Sequence, residues 1–510
     1  MSLNNNETKR INYFLYTAVL VGIIAVLAVW KPTMLTGVII AASNFFYQAF
    51  DWLIMWLPLL ALTVCLAVAF SRYGNIRLGG KHAKPEYSFL TWMNMLFTAG
   101  IGVGIVFYGP IEGIWHYYQS SIGVKDTSLA AYEQVGNAMS LALHVWGLPA
   151  WALYTLAGIV MAYFAYQHKM EFSPAAPLQK AFPKKRWVKP VGVIITALAI
   201  ISIALSVSSS VAMATGQIGS GLEIISGISF ASLGWRTVIL IVIAALYTLG
   251  AILPIAKGMT FLGNMTVYLS LALLAFVFLV GPSHYFLSTM TVAVGNIATQ
   301  TIPHSFQLYL FEPRDWIVWY PMAYWVWWVT WAPFVGVFLA KISYGRTIRQ
   351  FVLASILVPT GFIVIWFSVF SGFSLLDTIE GSGKLAEIAN KGDYEGTFYY
   401  LLEMLPGSAV TKIVTVILFL GFVVTTVTSA AISLGIMTSH DGRTESRYKA
   451  VVWSVLIALV AYAVVVTGKI EGIKAVGSFA GFPFVFLTYL WMAALWRQLR
   501  RDYPTEKKEL

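Results

Sequence analysis

The 510-residue chain is 58% hydrophobic and 11% charged, with a mean hydropathy of +0.75. Soluble domains carry about 25% charged residues, so a soluble globular protein is excluded and an all-α polytopic membrane protein is indicated. The net charge of +11 is spread over short loops rather than gathered in one patch, so no nucleic-acid partner is expected.

Apolar runs of roughly 20 residues, enough to cross a bilayer as a helix, recur from end to end. About twelve spans are predicted, near 12–30, 48–70, 88–109, 136–166, 190–213, 235–254, 259–281, 317–340, 350–374, 410–437, 449–467 and 475–496. Residues 283–308 are apolar but broken by Gly295 and Pro303, and are expected to lie as a helix on the membrane surface. Met1–Arg10 is polar and no small-residue pattern follows the first apolar run, so no cleavable signal is expected. With the amino terminus inside, cytoplasmic segments collect 24 of the 33 Lys and Arg residues. That bias obeys the positive-inside rule and puts both termini in the cytoplasm. The basic loops also attract anionic lipid headgroups, by about 1 kcal/mol per residue near the surface.

The third span contains Thr98-Ala-Gly-Ile-Gly-Val-Gly-Ile-Val-Phe-Tyr-Gly109. Gly100, Gly102 and Gly104 alternate, and each costs about 1 kcal/mol against alanine inside a helix. Unwound backbone at membrane depth is tolerated where it lines a cavity or is buried in protein, and secondary transporters use it to bind ions and substrate. Close helix–helix contact through small residues is the competing reading.

The eighth span holds six tryptophans between Trp316 and Trp331. Indole faces attract cations, above all quaternary ammonium groups that have no N–H to hydrogen-bond. Trp327, Trp328 and Trp331 therefore suggest an aromatic cage. Trp316 and Trp319, beside Arg314 and Asp315, suit an interfacial belt equally well. In the tenth span, the Thr428 and Ser429 hydroxyls are suited to complete an oxygen shell around a small hard cation. Back-bonding to their own i−4 carbonyls is the competing reading.

Cys65 is the single cysteine, so no intramolecular disulfide forms. The seven histidines make no zinc-protease spacing, and no phosphate-loop motif is present. Uphill transport would then draw on an ion gradient. A membrane enzyme acting on lipid headgroups would have only Glu112, His116 and His144 near the aromatic segments, and these fit no catalytic spacing. No catalytic residue and no cofactor are assigned. A channel or non-transporting sensor is the other rival.

The run Tyr324-Trp-Val-Trp-Trp-Val-Thr-Trp-Ala-Pro-Phe-Val-Gly-Val-Phe-Leu-Ala-Lys-Ile-Ser-Tyr-Gly-Arg-Thr-Ile-Arg349 resembles the signature of the betaine/choline/carnitine transporter (BCCT) family. The glycine run with Phe107-Tyr108-Gly109 and Glu112 is a second match, and His144-Val-Trp146-Gly-Leu-Pro-Ala-Trp151-Ala-Leu-Tyr154 a third. The resemblance covers nearly the whole transmembrane length. It implies a LeuT-like fold of two five-helix inverted repeats preceded by two extra helices. The segments would be 1–85 (tail and two peripheral helices), 86–282 (first repeat), 283–316 (surface helix and connection), 317–496 (second repeat) and 497–510 (short basic tail).

It also implies an aromatic box for a trimethylammonium group from Trp146, Trp151, Tyr154 and Trp328. Trp327 and Trp331 would line the pathway, with Gly100, Gly102 and Gly104 opposite. Sodium-coupled members hold Na⁺ between the third and tenth spans, here at the carbonyls of Thr98, Ile101 and Thr425 and the hydroxyls of Thr428 and Ser429. Sodium-independent exchangers place an arginine near the start of the seventh span, and residues 257–266 contain none. Choline carriers tend to have aspartate where Gly104 stands. Together these imply Na⁺ symport of a glycine betaine-type zwitterion in a bacterial inner membrane, with choline or carnitine transport as the alternative. Val207 stands where a second sodium site has threonine, and Ala431 where some relatives have aspartate. Osmosensing members have longer basic tails than the one after Trp496. Family members are commonly homotrimers.

Overall fold

A computed structural model describes residues 12–30, 32–101, 104–119, 130–253, 255–308, 310, 315–467 and 479–504. Among the described residues the chain is all-α, relieved only by an isolated bridge between Arg77 and Thr347.

Helix α1 (Tyr13–Trp30) and α2 (Pro32–Phe70) open the chain. The second bends at Phe50 and carries Pro58, whose ring and missing N–H disturb the i→i−4 ladder. The predicted third span is divided into α3 (Phe89–Ile101) and α4 (Gly104–Gln119). The fourth is divided into α5 (Ala131–Trp146) and α6 (Leu148–Gln167) at Gly147. Pro149 falls in the first turn of α6, where an N–H would have no intrahelical partner in any case.

Short α7 (Ala176–Ala181) precedes α8 (Val188–Ser226), which ends at Gly227 with φ +71°, the left-handed cap glycine tolerates best. Then come α9 (Leu233–Ile252), α10 (Ile255–Val280) and α11 (Ser283–Phe306). A three-residue α12 (Asp315–Ile317) and a π-turn over Val318–Met322 lead into α13 (Ala323–Ile342). A capping box of Thr347 and Gln350 starts α14 (Ile348–Ile379). Short α15 (Lys384–Asn390) and α16 (Tyr394–Glu403) follow, then α17 (Ser408–Met437), α18 (Arg447–Thr467) and α19 (Phe482–Asp502).

Among the described residues nine helices are long and apolar enough to span a bilayer, against the twelve expected. The other three expected spans fall on the shorter apolar α1, on the divided α3/α4, and on α19, which carries Arg497, Arg500, Arg501 and Asp502. The segment expected to lie on the membrane surface is α11. It buries Phe286, Thr289 and Ala293 and leaves Leu287, Val294 and Ile302 exposed, so it packs one face on α5 and α14. The helices α15 and α16 were not expected from the sequence.

Packing runs in matched pairs: α4 with α14, α6 with α13, α8 with α17, and α9 with α18. Small residues let α6 and α13 approach closely. A Cβ on Gly336 would lie 2.8 Å from Cβ of Ala157, and one on Gly158 would lie 3.3 Å from Cβ of Leu339.

Candidate functional site

The break at Gly147 sets the site's geometry. It lets Trp146 end one helix and lets Trp151 and Tyr154 begin the next. On α6 these two are three positions apart and share a face, their rings 5.8 Å apart. Across the α6–α13 contact stands Trp328, 4.9 Å from Tyr154, 6.1 Å from Trp151 and 5.6 Å from Trp146. Trp327 closes another side, 6.2 Å from Trp146 and 5.9 Å from Trp331. Trp146 meets Trp327 and Trp328 at 87° and 83°, and Trp327 meets Trp331 at 82°. Rings set at right angles form corners, so several π faces can turn toward one hollow.

That hollow is lined by Trp146, Tyr154, Trp327, Trp328 and Trp331, and by Gly104, Ser210 and Met213. About 320 Å³ of atom-free space lies among these residues, open solvent included, and the enclosed room is of the order of a single water. None of its lining residues carries a charge. A Cβ on Gly104 would stand 3.1 Å from Cη2 of Trp146 and 3.6 Å from that of Trp327, so a side chain there would press on Trp146. Trp328 and Trp331 are buried, and their indole N–H groups have no protein partner. Burying such a donor unpaired costs about 1–3 kcal/mol.

The predicted residues divide accordingly. Trp146, Tyr154, Trp327, Trp328, Trp331 and Gly104 come together on one cavity. Trp151 does not line it and instead packs against Tyr154 and Trp328. Gly102 lies outside the described residues, and of Thr98, Gly100 and Ile101 only the helical backbone is described. Trp319 is 75% exposed, and Trp316 packs tilted by 44° against Tyr320 and does not line the hollow. The belt reading therefore fits Trp319, and the cage reading fits the three tryptophans deeper in α13.

On α17, Thr425, Thr428 and Ser429 are fully buried, and that helix packs against α3. Thr425 donates its hydroxyl to the Gly421 carbonyl at 2.9 Å, and Ser429 donates to the Thr425 carbonyl at 2.8 Å. Thr428 reaches across to the Tyr247 carbonyl at 3.2 Å. Back-bonding is thus present for two of the three. A hydroxyl that donates its proton keeps lone pairs on oxygen, so the same geometry leaves acceptor capacity for a cation. Of the serines flanking Val207, Ser206, Ser208 and Ser209 donate to backbone carbonyls of α8 itself, while Ser210 faces the hollow.

Four contributors were not assigned to the site from the sequence. Ser210 and Met213 line the cavity without any sequence signal. Tyr108 packs 5.4 Å from Trp146 and 6.1 Å from Trp327. Glu112, buried within α4, accepts the indole N–H of Trp146 at 2.8 Å and the hydroxyl of Tyr324. A lone carboxylate inside a membrane span is a default functional candidate, and that signal was available. Helix α4 itself is fixed by α14: Trp366 donates to the Ile105 carbonyl at 3.0 Å, and Ser371 donates to that of Gly109.

Comparison with known proteins bears on this cage. The profile of the BCCT, betaine/carnitine/choline family transporter, matches residues 12–504. A glycine betaine transporter of Acinetobacter baylyi is 30% identical over 492 residues, covering 96% of this chain and 73% of the relative. A glycine betaine transporter of Bacillus subtilis is 30% identical over 496 residues, 96% and 95% respectively. A high-affinity choline transport protein of Escherichia coli is 31% identical over 464 residues, 90% and 68% respectively.

Proposed function

The chain belongs to the betaine/carnitine/choline transporter family, whose members are transporters and not enzymes, and on that premise we propose that it imports a glycine betaine-type zwitterion by Na⁺ symport and alternating access. The observation that carries this reading is the uncharged aromatic hollow between α5/α6 and α13. A desolvated cation over indole gains about 2 kcal/mol or more, and here rings at right angles offer several faces to one headgroup. The absence of a charged residue from the lining of the hollow suits a substrate that brings its own carboxylate.

Two structural features support the coupling and the transport cycle. The buried oxygens of Thr425, Thr428 and Ser429 lie on a helix packed against α3, where a hard cation would bridge the two. The matched pairs α4–α14, α6–α13, α8–α17 and α9–α18 fit two five-helix repeats related by a pseudo-two-fold, which rock about a central site. Positive loops on one side support a multi-pass protein with both termini cytoplasmic.

Choline transport is the second reading, favoured by the Escherichia coli relative. Gly104 sets it behind the first, because a net cation gains from a carboxylate that this hollow lacks. The test is uptake of labelled glycine betaine and labelled choline into proteoliposomes under an inward Na⁺ gradient, with K⁺ substituted in parallel. Saturable betaine uptake that stops in K⁺ is expected. Uptake indifferent to the swap overturns symport, and preferential choline uptake overturns the zwitterion.

A further inference from the structure

The carboxylate nearest the cage does not line it. Glu112 is fully buried on α4, and its Oε1 accepts two hydrogen bonds, one from Trp146 Nε1 at 2.8 Å and one from the Tyr324 hydroxyl. Its Oε2 lies 2.8 Å from Nε2 of His116, one helical turn along. The first two donors come from α5 and α13, so one side chain ties together α4, α5 and α13, three of the five helices that line the hollow. Trp146 is the wall that faces both Trp327 and Trp328, and Tyr324 stands 6.0 Å from both Trp146 and Trp327.

We propose that Glu112 is the positioning residue of the cation cage: it locks the indole plane of Trp146 and, through the indole N–H, loads negative charge behind the π face that meets the substrate. Two physical arguments carry this. A tryptophan ring held at its N–H by a charge-assisted bond has one allowed orientation, so its face is set before substrate arrives and binding does not have to order it. Hydrogen bonds in low dielectric also polarise their members, and a carboxylate pulling on the indole proton makes the ring more negative. The substrate cation is then attracted by a charge it never touches. This is how a hollow without acidic walls gains electrostatic selectivity for an onium group.

The inference rests on the cage reading above, and a double-mutant cycle separates the two. Purified protein is titrated with glycine betaine, choline and carnitine by calorimetry, as wild type, Glu112→Ala, Glu112→Gln, Trp146→Phe and the two combinations with Trp146→Phe. Phenylalanine keeps a π face and removes the N–H. Glutamine keeps the acceptor oxygen for Trp146 and Tyr324 and can donate to His116, but lacks the charge.

Expected are a rise in Kd of tenfold or more for Glu112→Ala and about threefold for Glu112→Gln, both shrinking toward nothing in the Trp146→Phe background. A role in folding alone would lower the thermal midpoint without this coupling in Kd. Equal losses in both backgrounds, or no loss in either single variant, would overturn the inference while leaving the cage intact. If Glu112→Ala fails to fold, the glutamine arm of the cycle decides by the same criterion. Failure of wild type to bind any of the three ligands would sink the cage reading and this inference with it.

Discussion

The ring of Tyr154 sits 4.9 Å from the indole of Trp328, tilted by 60°, across the contact between α6 and α13. Trp328 is also within ring contact of Trp146 and Trp151, so it joins aromatic groups of α5 and α6 to α13. Trp328→Leu keeps an apolar side chain but removes the π face common to these contacts. It should abolish saturable uptake of labelled glycine betaine in proteoliposomes while leaving the protein folded and monodisperse. Near-normal uptake would remove Trp328 from the cage.

Gly104 stands where the hollow's wall is tight. A Cβ there stands 3.1 Å from Cη2 of Trp146, closer than ordinary van der Waals contact. The indole cannot swing aside freely, because its N–H is bonded to Glu112. Gly104→Ala should therefore weaken glycine betaine binding by about tenfold, close to 1.4 kcal/mol. Calorimetric titration checks this, and unchanged affinity would show that Trp146 has room to give.

How much of this was legible in the sequence depends on the kind of signal. Hydropathy located the spans because a lipid-facing helix must be apolar along its length. It ended the fifth span near 213, whereas α8 runs on to Ser226 through Gly216, Gly219 and Gly221. There α16 presses so closely on α8 that Cβ atoms at Gly216 and Gly221 would collide with Glu395 and Tyr399, so the glycines serve packing rather than a turn. The aromatic cluster was legible because tryptophan is chemically distinctive and three fall within one helical turn and a half. Glu112 was noticed, but its role was not, since its partners lie 34 and 212 residues away. Ser210 and Met213 are common residue types on a long apolar helix, and only the packing of α8 against α13 turns them into walls.

The proposed sodium site has a sharper test than deletion alone. Thr428 gives its hydroxyl proton to the Tyr247 carbonyl, which ties α17 to α9. Ser429 gives its own to Thr425. Thr428→Ala combined with Ser429→Ala should raise the Na⁺ concentration for half-maximal uptake by about tenfold, the scale of one lost ion–oxygen contact at 1.4 kcal/mol. Thr428→Ser, which keeps the oxygen, should stay near wild type. A serine variant as impaired as the alanine pair would assign the effect to packing at Gly250, whose Cβ would meet Thr428, and not to a cation ligand.

The cage depends on how closely α6 and α13 approach, and Gly336 sets that distance. A Cβ there would lie 2.8 Å from Cβ and 3.0 Å from the carbonyl carbon of Ala157. The second is backbone and cannot rotate away, so Gly336→Ala must push the helices apart. Overpacking of this kind costs about 1–3 kcal/mol. Because Tyr154 and Trp328 sit on opposite sides of the same contact, the displacement should open the aromatic walls as well. The expected outcome is a lower thermal midpoint together with weaker glycine betaine binding. Ala157→Gly in the same chain removes the Cβ contact, and should restore part of both. Recovery of stability without recovery of binding would mean that the walls are set by Glu112 and the α4 contacts, independently of the α6–α13 spacing.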